Sequence, residues 1–352
     1  MRQRNRASHI KMLLGLGVLI AALSGCGSRE AVTATGAEET ASPANAAAGS
    51  VNILLRGDSA KIEGRGAEVE KGVLVIHEGG TYRLTGESRL PIEVRAANVS
   101  VTLYLENVKL HTRGNSAIRA VQRGDLTLVF AGEEENSIET DGREKKDGSA
   151  ADPKGVDAAI FSKGNLTLRG SGSANIKAAN RGIVAKGELI VADGIFDLRT
   201  EDDIFCGKES VTLQGGAVRA SAQGDKGKGV SSDGAVILSG GSYVFAHTSE
   251  GIEGKTIEMS GGSFDISADD DGMNAREHYD KEETKTKKKE ANPEVWIRIA
   301  GGELYVTAGG DGLDSNGDLI FSGGTSYING SDTGKDAALD WNGSCRVDGG
   351  VL

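Results

Sequence analysis

The chain has little of what builds an ordinary globule. Only 4 of its 352 residues are proline and only 4% are aromatic. The scarcity of proline excludes a collagen-like or proline-rich disordered chain. Cysteine is limited to three residues, too few for a disulfide scaffold. Positive charge is in deficit, with 40 Lys and Arg against 51 Asp and Glu and a formal net charge of −11. That balance argues against nucleic acid as a partner, because phosphate binding needs clustered cations. No apolar run is long enough for a comfortable membrane-spanning helix. The longest, Met12 to Leu23, follows a basic start of Arg2, Arg4, Arg6 and Lys11.

That beginning reads as a targeting segment. Residues 1–25 form a signal peptide, and Leu23-Ser24-Gly25-Cys26 looks like a bacterial lipobox in which Cys26 receives the lipid. Residues 26–50 are small and polar and read as a flexible tether. The expectation is a protein on the outer face of a bacterial cell membrane, held there by its N-terminal lipid.

What the chain has in excess is glycine, 52 residues or twice the usual share of about 7%. Much of it comes as a Gly pair followed by alternating apolar residues: Gly215-Gly216, Gly240-Gly241, Gly261-Gly262, Gly301-Gly302, Gly323-Gly324 and Gly349-Gly350. A second marker is a small residue before an apolar one, at Ile118, Ile160, Ile183, Val230, Ile252, Met273, Leu313 and Leu339, with Phe205 filling one slot. Most steps between markers are 21–26 residues, as 183 − 160 = 23 and 252 − 230 = 22. A repeat of that length with period-2 alternation predicts an all-β, right-handed parallel β-helix, a three-sided solenoid spanning 51–352. Val51 to Leu110 reads as its first coils and cap. The last coil lacks a cap of its own, so either a cap is missing or another protein supplies one. Two long steps mark insertions, Asp141 to Asp157 and Arg276 to Pro293. Cys206 and Cys345 fall about five coils apart, roughly 24 Å at strand spacing, beyond disulfide reach. Two separate buried thiols are expected.

The ordered set Ala158-Ala159-Ile160-Phe161-Ser162-Lys163, Gly251-Ile252-Glu253-Gly254, Asp269-Asp270-Asp271-Gly272-Met273-Asn274-Ala275 and Gly310-Asp311-Gly312-Leu313-Asp314-Ser315-Asn316-Gly317 resembles bacterial carbohydrate-binding domain proteins with a polysaccharide-lyase-like parallel β-helix. The resemblance implies calcium on the helix and plant cell-wall polysaccharide, cellulose-like or pectic, as partner. Two positions depart from the pattern: Ile204 stands where Gly is expected and Lys228 where Asp is expected.

Stacking the coils aligns Glu250, Asp271 and Asp311 two residues before their markers. Glu253, Asn274, Asp314 and Asp340 align just after them. Carboxylates about 4.8 Å apart repel, and a Ca2+ with its 6–8 oxygen ligands would relieve this. Asp residues also cap turns, an alternative for any single member. Three residues past each Gly pair the ladder reads Arg219, Val244, Asp265, Tyr305, Tyr327. Tyr305 and Tyr327, with outward Trp296, form a candidate sugar-stacking platform or else pack beneath a loop. Asn274 and Asn316 hint at an Asn ladder inside the coil.

The function these features favour is calcium-dependent, non-catalytic polysaccharide binding by a monomeric or weakly self-associating protein. The alternatives are a polysaccharide lyase recruiting Lys255 or Lys208 as base, or a structural adhesin or spacer.

Overall fold

A computed structural model describes residues 49–114, 116–142, 158–277, 290–331 and 334–352. These belong to one compact unit, Ala46–Leu352. The signal segment, Cys26 and nearly all of the tether lie outside the described residues, as do most of both insertions.

The described residues contain strands and no helix, and they wind into a parallel β-helix of about 10 turns. One coil shows the plan. Ala158–Ser162 lies on the marker face, Asn165–Arg169 on the face before the glycine corner, and Ser173–Ala178 on the face after it. Each strand pairs in parallel with its counterpart one coil on: Ile160 with Ile183, Leu166 with Leu189, Ile176 with Leu198. The marker residues from Ile118 to Leu339 stand in unbroken Cα register. The column also continues upstream through Ile92 to Leu74.

Alternation decides which side chains face in. In Glu303–Ala308, Leu304, Val306 and Ala308 are buried while Glu303, Tyr305 and Thr307 are exposed. The inward residues of all coils form one continuous cluster. Within it, the rings of Tyr243 and Phe264 lie nearly parallel with centroids 5.0 Å apart. No single coil could bury such a core alone.

Glycine is needed at two kinds of position. The second residue of each Gly pair has positive φ, 84° at Gly241 and 86° at Gly302, a region costly for other residues. The glycine before a marker lies against the next coil: a Cβ on Gly272 would sit 2.2 Å from Val306 and 2.5 Å from the Gly312 oxygen. Ile204, in the same column, is accommodated as a fully buried core residue.

At the N-terminal side, Ser59–Glu63 pairs antiparallel with Val51–Gly57, and Ala67–Glu70 pairs antiparallel with Val73–Ile76. The first edge of each stack is therefore an antiparallel strand. Cys206 and Cys345 are free thiols, Cys206 buried but Cys345 only partly so. The expectation of two buried thiols holds for the first. Cys345 belongs to a strand paired on one side only, with Leu319.

Candidate functional site

Marker-face strands are mostly three residues long, so each exposes one side chain outward between two corners. These form a ladder: Val75, Glu93, Arg119, Phe161, Val184, Cys206, Ser231, Glu253, Asn274, Asp314, Asp340. Most members are nearly buried despite facing away from the core. The ladder changes character along its length. Glu93 pairs with Arg95 and Arg119. Phe161, Val184 and Cys206 make a small apolar cluster with Ala158. Beyond Ser231 it becomes ionic, then acidic.

The ionic stretch is a four-residue cluster. The Lys228 ammonium lies 2.6 Å from Glu253 and 3.3 Å from Glu250, and Arg276 pairs with Glu253 and sits 3.9 Å from Glu250. Glu253 is 1% exposed and Glu250 8%. Burial, then the adjoining Glu253 carboxylate, push Glu250 up to about 7 against the pull of Lys228 and Arg276. Both glutamates were expected as metal ligands. In the structure Lys228 and Arg276 supply countercharge to this pair. The Lys at 228, a departure from the family pattern in the sequence, is thereby explained.

The acidic stretch is ordered by backbone capping. Asp203, Asp271 and Asp311 each accept a hydrogen bond from a backbone N–H one coil on, Lys228 at 3.0 Å, Asp311 at 2.8 Å and Ala337 at 2.6 Å. Asn274 donates its amide to the other oxygen of Asp271 at 3.0 Å. Burial raises Asp271 to about 6 against its backbone hydrogen bond, with Asp270, Asp311 and Asp336 adding repulsion. Asp311 is also raised, first by burial. Asp314 and Asp340 follow Asn274 in register. The Asn274 carbonyl oxygen is buried without a hydrogen-bond partner, although its residue is only 5% exposed. Such an oxygen is costly unless something donates to it or binds it. Crowded carboxylates and an orphaned amide oxygen fit a hard cation in donor type. Among the described residues, however, the only three His, Cys, Asp or Glu groups whose ligand atoms converge are Glu68, Glu70 and His77, at the N-terminal end of the solenoid. Asn274 and Asn316 do not form a ladder inside the core. Asn274 is on the outward ladder, and Asn316 accepts from Asn342 at 3.1 Å on the corner.

The ladder from Arg219 to Tyr327 is formed as spaced. At its end the Tyr305 and Tyr327 rings stack, centroids 5.1 Å apart and 11° from parallel. They are 41% and 54% exposed. A cleft of about 300 Å3 opens beside Tyr327, lined by Ile328, Leu339 and Leu352 among others. Trp296 does not join them. It lies on the face before the glycine corner, between Thr256 and Asp318, and is half-buried. The sequence showed that it points outward but not from which face.

Of the two candidate bases, Lys255 is held by Glu294 at 2.6 Å and Glu277 at 3.4 Å. Those contacts, that to Glu294 foremost, raise its pKa, the wrong direction for a base. Lys208 lies three coils before the Asp271 marker strand, about 14 Å at strand spacing.

A family model described as carbohydrate-binding domain-containing protein matches residues 70–337. A solved structure described as the polysaccharide lyase-like protein from C. thermocellum, gadolinium derivative, is similar with a TM-score of 0.56 and 18% identity. The match covers 77% of this chain and 96% of that one. No curated protein matches.

Proposed function

The chain belongs to the carbohydrate-binding domain-containing family, and from that premise we propose that it binds cell-wall polysaccharide without cleaving it. The observation that carries this reading is the exposed stack of Tyr305 on Tyr327. Aromatic side chains left this open to water are a natural surface for the apolar faces of sugar rings. Since each ring covers one face of the other, the pair offers its outer faces, edges and hydroxyls. A rigid rod suits an extended glycan, because a preformed surface loses little entropy on binding.

Calcium is the second part of the proposal. Its ligands are drawn from Asp271, Asp311, Asp314, Asp340 and the Asn274 amide oxygen, with backbone carbonyls completing the shell. Glu250 and Glu253 are left out of this set, since Lys228 and Arg276 already pair with them. The ion's role is to relieve repulsion along the corner and hold neighbouring coils together. Lipidation of Cys26 would keep the rod at the outer face of the membrane, as a monomer or a weakly self-associating protein.

A binder is favoured over a lyase because β-elimination needs a free base beside the metal. Three basic groups flanking the acidic stretch, Lys228, Arg276 and Lys255, are engaged by carboxylates. The test is sedimentation of the purified chain with insoluble cellulose and with cross-linked polygalacturonate, with calcium and with chelator. Retention on either supports the reading, and no retention on any polysaccharide overturns it. Ultraviolet-absorbing unsaturated product from polygalacturonate would establish the lyase instead.

A further inference from the structure

The corner after each marker strand carries a pattern that the tyrosine pair and the acidic stretch leave unused. Arg123, Lys163, Lys186 and Lys208 occupy the same corner position on four consecutive coils. The register of Asn165 with Asp125 sets Lys163 over Arg123, and Ser162, Ala185 and Gly207 align the other two. At strand spacing the four cations span about 14 Å. They form an isolated run, with Asn98 before it and Asp233 after it.

Two features single out these four. First, none makes an ion pair with a described residue. Basic residues at the same corner on other coils, Arg95, Lys255 and Arg276, are each tied to glutamates. Second, Arg123, Lys163 and Lys186 are each followed by a glycine packed closely on the coil before. A Cβ on Gly164 would lie 2.2 Å from the Gly124 oxygen, and one on Gly187 2.3 Å from the Asn165 side chain. Arg123, Lys163 and Lys186 therefore stand along a shallow groove of about 240 Å3 floored by glycine, and Lys208 continues the column one coil beyond it. Asp125 and Glu209 also line it. Asp125 is engaged by the Asn165 amide at 3.0 Å and by the Ser100 hydroxyl at 3.4 Å.

On a chain of net charge −11, a run of four like charges without partners is a local exception. Its mutual repulsion is relieved by anions placed at the same interval. We propose that this column is a docking line for an extended anionic glycan lying parallel to the coil axis. One carboxylate or phosphate would meet each coil, since a sugar residue of an extended chain advances by about one coil rise. This rests on the polysaccharide-binding reading and adds to it a second contact surface and a charge requirement.

The test uses the full chain and three probes: size-defined polygalacturonate, a poly(glycerol phosphate) of similar length, and a neutral cello-oligosaccharide. Three proteins are compared: the unaltered chain, Lys163→Ala/Lys186→Ala/Lys208→Ala, and the same three positions changed to Arg. The expected result is at least a tenfold loss of affinity for one or both polyanions in the Ala variant. The Arg variant retains binding, the neutral probe is unaffected, and polyanion binding weakens as salt rises. Whichever polyanion responds identifies carboxylate or phosphate as the anion. Equal polyanion affinity of the Ala variant, or binding of the neutral probe alone, overturns the column while leaving polysaccharide binding standing. Failure of the unaltered chain to bind any of the three overturns both.

Discussion

The Lys228 ammonium reaches across one coil to within 2.6 Å of the Glu253 carboxylate, which is 1% exposed. Two carboxylates and two cations thus share the recessed marker face, and each depends on the others. Removing one partner of a buried ion pair strands the other, at a cost of about 3–5 kcal/mol. Lys228→Met is expected to lose about 3 kcal/mol by urea denaturation at pH 7, and Lys228→Met/Glu253→Gln to recover part of it. A loss below about 0.5 kcal/mol would show the cluster to be solvated.

The raised carboxyls set the pH dependence. Asp271 at about 6 and Glu250 at about 7 hold their protons more tightly folded than unfolded. The folded state then binds more protons than the unfolded one from about pH 4, the ordinary carboxyl range, up to about 7. Stability therefore falls as pH rises through that window. Carboxylates held below their usual range by partners, Glu93 and Glu70 beside Arg95, act in the opposite sense but only below about pH 4.5. In chelator, the melting temperature at pH 5 is expected to exceed that at pH 8. A rise between the two would contradict these assignments.

Calcium should oppose that loss. A ligand bound only by the native state stabilises it in proportion to the logarithm of its concentration. Millimolar Ca2+ at pH 8 is expected to raise the melting temperature by several degrees. Asp314→Asn with Asp340→Asn should abolish most of that rise, whereas Glu253→Gln should not. A calcium response unchanged in the Asp variant would move the ion elsewhere.

The glycine before a marker is a packing requirement. Gly272→Ala places a methyl against Val306 and the Gly312 carbonyl. Overpacking of this kind costs about 1–3 kcal/mol, measurable by denaturation.

The coil was legible in the sequence because its physics is local. A Gly pair marks a corner, and period-2 alternation marks an inward side, so marker spacing alone gave the register from Ile118 to Leu339. The column's upstream extension to Ile92 and Leu74 was missed because Pro91 and Val73 precede them instead of a small residue. The site was legible only in part. Tyr305 and Tyr327 fall on one ladder by simple counting, and they stack. Trp296 alternates correctly but belongs to another face, which counting within one strand cannot reveal. The partners of Glu250 and Glu253 were hidden for a different reason. Lys228 and Arg276 occupy different corners, and only folded geometry shows both reaching the same pair of carboxylates.

The central claim is that the stacked tyrosines hold a glycan. Its most direct test is titration of the unaltered chain and of Tyr305→Ala/Tyr327→Ala with the polysaccharide best retained in sedimentation. The expected result is a loss of about 2 kcal/mol in binding for the variant, roughly thirtyfold, with an unchanged melting temperature because both rings stand outside the core. Equal affinity of the two proteins would contradict it.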